Sequence, residues 1–368
     1  MGLPRGALKL LVAAGSAGVL YAVSVVIKRR RVVRAVRRQP KVEFHAHLHG
    51  SIRLATLVEL AGGAAEAVLA GPRTLEACFE IFGLIHGCVT SLDTVRRVCR
   101  EALEDFAAEG CCYAELRSTP RPLGGATEMD YILAVVDEMA AWEARPGSRL
   151  TPRYLVSVDR SRGPAAAKGT VDALVRLRAA DERVRRMVVG VDFSGNPTSA
   201  QGFGAFEAVF RSCRDAHDLG CALHVGEVPR GDDDARRILS FARERPARCR
   251  LGHALFFDAG DLDGSASLVE VCPSSNAATL KLDSLRDHPR LNDRFVARRR
   301  NPPPITLCTD DTAVFDTDMT KEYLAVLDAF ALAPDDLARL VDAAADFAFD
   351  APACRAALRR AYADKRGS

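Results

Sequence analysis

No two of the 11 cysteines in this 368-residue chain stand at CxxC spacing, and their number is odd. Cys112, Cys221, Cys272 and Cys308 lie inside apolar, strand-like runs, where a reduced buried thiol is the ordinary outcome. A disulfide framework is therefore excluded, and a reducing compartment, the cytosol, is expected. Charge of one sign is also scarce: the formal net charge is +3, and much of the basic excess lies before residue 40. The rest is near neutral, which argues against a broad nucleic-acid surface. No glycine-rich phosphate loop precedes a helix, and no internal repeat or long low-complexity tract appears. What is present is apolar residue, 48% of the total, enough for one large α/β barrel or two smaller domains.

The N-terminal 39 residues read as a separate unit. Leu10 to Ile27 is uncharged and mostly apolar, and Lys28-Arg29-Arg30-Arg31 follows, with more arginine up to Arg38. That length is near the lower limit for crossing a bilayer, and the basic flank would hold the main domain on the cytoplasmic side. A membrane contact through residues 10–38, a cleaved targeting sequence and an over-long reading frame are the three alternatives. Residues 40–363 form the catalytic unit, expected to act as a monomer.

Within that unit one pattern recurs: a short apolar strand, a polar or glycine-containing turn, then an amphipathic helix. Strands are predicted at 42–48, 111–118, 153–158, 188–193, 221–225, 249–252, 268–272 and 305–309. Helices are predicted at 74–87, 91–109, 128–144, 165–181, 204–219 and 231–245, with closing helices over 318–363. In 91–109 the stripe Leu92, Val95, Val98, Cys99, Ala102, Leu103 and Phe106 is core packing. Eight alternating units fit a (β/α)₈ TIM barrel, whose functional groups sit at the C-terminal ends of its strands. One crossover is short: between His253 and Val269 there is room for at most a turn of helix.

The strand ends are where the chemistry gathers. In Phe44-His45-Ala46-His47-Leu48-His49-Gly50, side chains alternate, so a strand would aim His45, His47 and His49 one way. HxH alone is a weak signal. Later strands, however, end in His224-Val225-Gly226-Glu227, in Gly252-His253 and in Asp310-Asp311. Singly, His224 or His253 would be a satisfied core histidine, and Asp310-Asp311 a helix cap. Their joint occurrence at successive strand exits points to one mononuclear zinc site, with His45, His47, His224 and Asp310 supplying three nitrogens and one oxygen. Glu227 is then placed to give a proton to a substrate ring nitrogen, His253 to orient the nucleophile, and Asp311 to accept hydrogen bonds.

These segments resemble the adenosine deaminase family of metal-dependent (β/α)₈ hydrolases over residues 40–363, and most closely its adenosine deaminase-like branch. The resemblance is carried by KVEFHAHLHGSI, TLEACFEIFGLIH, YAELRSTPR, YLVSVDRSRGP, VVGVDFSGNPT, LHVGE, RLGHAL and CTDDTAVFDTDMTKEY. It implies one zinc on His45, His47, His224 and Asp310, with Glu227 as proton donor and His253 assisting the water. By the same resemblance Asp311 and the main chain at Gly195 hold the purine. His47, His49, His86, Ser118, Thr119, Pro120, Arg121 and Asp159 match the branch's nucleotide-binding positions. Alone, His86 would be a helix C-terminal histidine and Arg121 a solvated charge. Two departures stand out: Ala254-Leu255 follow His253 where the family commonly has glycine and a small residue, and the connection from the sixth strand to the seventh is short; at His49, ordinary adenosine deaminases have an aspartate.

The leading expectation is zinc-dependent deamination of a 6-aminopurine nucleotide, most closely N6-methyl-AMP, to IMP plus amine. The alternatives are an adenosine deaminase giving inosine and an inactive, membrane-tethered nucleotide-binding relative. A two-metal hydrolase would want a bridging Lys or Glu at the end of strand four, and Val188 to Gly195 offers neither. The Cys-based signature of cytidine-type zinc deaminases is absent.

Overall fold

Strands β1 (Lys41–His47), β2 (Cys111–Ser118), β3 (Thr151–Asp159), β4 (Val188–Ser194), β5 (Gly220–Val225), β6 (Cys249–His253), β7 (Leu268–Val271) and β8 (Ile305–Leu307) pair in sequence order, every neighbour parallel. This is a computed structural model, and it describes residues 24, 26–63, 65, 71, 74–198, 201–229, 233–297 and 301–367. β8 is shorter than its sequence predicts. Past Leu307 the chain turns from β7 towards β1, where the Thr309 N–H and hydroxyl donate to the Glu43 carboxylate at 3.0 and 2.9 Å. A parallel bridge between Ala46 and Asp310 joins first strand to last. There Asp310 N–H donates to His45 O at 2.8 Å and His47 N–H to Asp310 O at 2.9 Å.

Helices between the strands form where the apolar stripes predict them. Ser91 caps Leu92–Ala108, accepting from Thr94 N–H at 3.2 Å, and Val95, Val98, Cys99, Ala102, Leu103 and Phe106 are buried. Thr127 and Asp130 form a capping box at the start of Glu128–Glu143. The predicted 204–219 helix is a short 3₁₀ turn, Phe203–Ala205, followed by Glu207–Ala216. The short crossover carries only the four-residue helix Ala259–Leu262. Helices Met319–Phe330, Pro334–Ala344 and Ala351–Gly367 close the fold, and Phe349 packs under the Arg250 guanidinium, 3.7 Å from ring centroid to Cζ.

Residues 26–38 form a helix whose inner face, Val32, Val33 and Val36, packs on the barrel. Arg29 pairs with Asp328 through two hydrogen bonds of 2.7 Å, and Arg37 lies 3.1 Å from Glu109. Most of the apolar stretch Leu10 to Ile27 falls outside the described residues. Among those described, no helix is long and apolar enough to cross a membrane.

Candidate active site

A bulge in β1 between Glu43 and Ala46 shifts its register against β2, which re-aims the side chains there. His45 and His47 leave the strand towards the barrel mouth. His49 does not continue the alternation: it opens the 3₁₀ turn His49–Ser51 and reaches away from the other two. β5 contributes His224, and β6 ends in His253. Asp310 follows β8. His253, Ala254 and Asp310 have φ of 63°, 52° and 61°, a left-handed backbone that side chains other than glycine rarely adopt. The turn is pinned by Ala254 N–H to Val225 O at 3.0 Å and Leu255 N–H to Gly226 O at 3.1 Å.

Ligating atoms of His45, His224, His253 and Asp310 all lie within 4.8 Å of one another, and all four residues are buried. His47 joins them, its Nε2 being 3.2 Å from His224 Nε2 and 3.4 Å from Asp310 Oδ1. His253 stands further back, its Nε2 4.0 Å from both Asp310 Oδ2 and Glu227 Oε1. Its Nδ1 is held at 3.0 Å by the Asn276 amide. Distance alone thus groups His253 with the ligands, whereas contact with Asp310 and His224 favours His47.

The charge balance at this floor suits a cation. Burial and Arg117 lower the basicity of His45, but the Asp310 and Glu270 carboxylates outweigh them and raise it to about 9. Its Nε2 is buried, makes no hydrogen bond and lies 3.2 Å from Asp310 Oδ1. Burial opposes ionisation of Asp310, yet His253, His45 and His47 hold its carboxyl well below the usual range. Burial, with His224 and His45 added, pushes His47 down to about 3 despite Asp310. A neutral His47 imidazole beside the ionised Asp310 carboxylate in a buried pocket matches zinc donors, and the His45 ring would give up its proton to bind such an ion. A divalent ion fits these residues.

Above the floor opens a cavity of about 360 Å³, lined by His47, His49, His86, Ser118, Thr119, Asp159, Gly195, Glu227, His253 and Asp311 among others. Asp311 packs against Gly50, where any Cβ would stand 1.8 Å from its Oδ1. Burial first, then Asp310, raises the Asp311 carboxyl well above its usual range. Gly195 has φ of 94°, and a Cβ there would lie 2.1 Å from Asp159 Oδ1. At the outer end the His49 and His86 rings meet at 5.1 Å, and Tyr131 hydroxyl is 3.1 Å from His49 Nε2. Burial, then His86 and Arg121, pushes His49 well below its usual range, so the ring is neutral. Arg121 instead ties off the end of helix Leu75–Cys88, donating to His86 O at 3.1 Å and Val89 O at 2.5 Å. Neither it nor Pro120 lines the cavity.

Sequence reasoning passed over the groups beneath the floor. Glu270 Oε2 accepts from His45 Nδ1 at 2.7 Å, and Asp192 Oδ1 lies 3.1 Å from His224 Nδ1. Both carboxylates are fully buried. Phe82 and Phe315 also line the cavity without having been singled out. The signal available for Asp192 and Glu270 was an acidic residue inside an apolar strand, which is costly to bury unless paired.

Comparison with known proteins places this geometry. Residues 40–364 match the family model described as Adenosine deaminase, so the chain belongs to that family and is a purine deaminase, a hydrolase. The resemblance is narrower still. An N6-mAMP deaminase of Arabidopsis thaliana is 32% identical over 346 residues, covering 84% of this chain and 92% of the relative. The N6-Methyl-AMP deaminase of Danio rerio is 31% identical, covering 89% and 95%. A solved structure of Arabidopsis ADAL complexed with IMP superposes with a TM-score of 0.76 at 32% identity, covering 89% of this chain and 98% of that one.

Proposed function

We propose that this chain holds one zinc ion on His45, His47, His224 and Asp310 and hydrolyses N6-methyl-AMP with water to IMP and methylamine. The observation that carries the reading is the convergence of buried His45, His224, His253 and Asp310, with His47 Nε2 3.2 Å from His224 Nε2, at a cavity floor beside Glu227, in a chain of this family. The names of its relatives, and the IMP bound in one of them, support a nucleotide as the occupant.

When bound, zinc lowers the pKa of a water and so supplies a nucleophile near neutral pH. The protein's own groups do the rest. Glu227, 4.0 Å from His253 at the cavity wall, delivers a proton to the purine ring nitrogen as oxygen adds to the neighbouring ring carbon. His253 is fixed through Asn276, so its Nε2 faces the same space and orients the attacking water. Asp311 and the Gly195 main chain grip the ring, because Gly50 and Gly195 leave room that any side chain would fill. The ribose phosphate extends to the outer end, where His49, His86, Ser118 and Thr119 line the cavity and offer donors. Arg121 adds positive charge there from behind, without facing the cavity.

Incubating the purified protein with N6-methyl-AMP and separating the products tests this. IMP and methylamine are expected in equal amounts, lost on chelation and restored by zinc. Undiminished methylamine release from fully chelated protein would overturn the metal assignment, and no release from zinc-loaded protein would overturn the substrate.

A further inference from the structure

The motif YAELRSTPR carries an arginine that the chemistry above does not use. Arg117 stands on β2 beside His47 of β1, and its side chain is fully buried. Its Nη1 donates to Asp192 Oδ1 at 2.9 Å, and its Nη2 donates to Glu270 Oε2 at 2.9 Å and to the Phe44 carbonyl. The two oxygens it grips are the same two that face the histidines: Asp192 Oδ1 meets His224 Nδ1, and Glu270 Oε2 meets His45 Nδ1. The remaining oxygens are anchored separately, Asp192 Oδ2 by the Ser157 hydroxyl at 2.7 Å and Glu270 Oε1 by Arg250 Nε at 2.6 Å.

We propose that Arg117 is a positioning residue, a rigid bridge that fixes the His45 and His224 imidazoles relative to each other and so sets the affinity of the metal site. The proposal rests on the zinc reading above. His45 and His224 come from β1 and β5, which share no ladder, yet their ring centroids lie 4.6 Å apart. Glu270 aims the His45 ring at its Nδ1, and His224 Nδ1 lies between the Phe193 carbonyl at 3.0 Å and Asp192 Oδ1 at 3.1 Å, which directs both Nε2 lone pairs to the floor. Two such carboxylates on separate strands, β4 and β7, would repel and turn independently. A planar guanidinium with a fixed fork of donors neutralises them and fixes their separation in one contact. An ammonium is a point charge on a flexible stem and cannot hold both in plane.

The test compares wild type, Arg117→Lys and Ser157→Ala in the full chain by zinc competition with a chelator, by the visible spectrum after cobalt substitution, and by thermal melting. Losing an outer partner of a metal-ligating histidine weakens metal binding about 10–100-fold, and Arg117→Lys is expected in that range with a changed cobalt spectrum. Ser157→Ala keeps every charge in place, so it carries the test if the lysine variant does not fold. It is expected to weaken zinc about tenfold, the low end of the same range. Melting temperatures that fall while zinc affinity and cobalt spectrum stay as in wild type would make Arg117 merely structural and overturn the proposal. Wild type that takes up no zinc would overturn the metal reading, and this proposal with it.

Discussion

The imidazole of His45 and the carboxylate of Asp310 meet at 3.2 Å, Nε2 to Oδ1, across the seam where first and last strands of the barrel close. The same two residues share a main-chain hydrogen bond, Asp310 N–H to His45 O at 2.8 Å. Closing the barrel and assembling the metal donors are therefore one event. A ligand bound only by the folded chain adds stability by mass action.

From this follows the behaviour of the ligand variants. His45→Ala, His224→Ala and Asp310→Ala should each purify without stoichiometric zinc and without turnover, because the source of the nucleophile goes with a ligand. Adding zinc should raise the melting temperature of chelated wild type but not of these variants. Metal analysis with paired melts checks it, and full zinc occupancy in the Asp310 variant would refute the assignment.

Glu227→Gln should behave differently. The amide keeps the shape of the side chain but has no acidic proton to give, so turnover should fall about 10²–10⁴-fold. Zinc should remain, since Glu227 lies outside the ligand group. A variant that lost its metal together with its activity would mean that Glu227 binds the ion.

Gly50→Ala isolates Asp311. A Cβ would come within 1.8 Å of Asp311 Oδ1 and 2.5 Å of its Cγ, so the carboxyl must move. A displacement of about 1 Å in a positioning group costs on the order of 10²-fold in rate. The expected result is a kcat lower by about that factor with zinc content unchanged, read by steady-state kinetics and metal analysis. An unchanged kcat would remove Asp311 from the ring-binding role.

The barrel could be read from the sequence because each strand announces itself as an apolar run and each crossover helix as a periodic stripe. The groups at the strand exits were legible for the same reason, as polar residues interrupting those runs: His45, His224, His253 and Asp310. What could not be read depends on local geometry. The strand β1 ends at His47, so His49 belongs to the next turn and serves the outer end of the cavity, not the floor. Arg121 matches a nucleotide-binding position by sequence, yet its Nη2 donates to two main-chain carbonyls at the end of helix Leu75–Cys88 and the residue does not line the cavity. Asp192, Glu270 and Arg117 come from strands distant in sequence, and only the closed barrel brings them together beneath the histidines.

His49→Asp tests the outer end. In the protein as it stands His49 is a neutral donor or acceptor against Tyr131, and a carboxylate in its place would repel a 5′-phosphate. Losing a hydrogen bond to a charged group costs about 1.5–3 kcal/mol, or roughly one to two decades in kcat/KM for a nucleoside monophosphate. Turnover of the nucleoside should change far less. Equal losses on both substrates would mean that His49 supports the fold of the turn rather than the phosphate.

The most direct test of the central claim is kcat/KM measured on zinc-loaded wild type for N6-methyl-AMP, AMP and adenosine side by side. N6-methyl-AMP is expected to exceed adenosine by at least about tenfold, the lower value of one charged phosphate contact. Adenosine turned over as efficiently as N6-methyl-AMP would contradict it and make the protein a nucleoside deaminase.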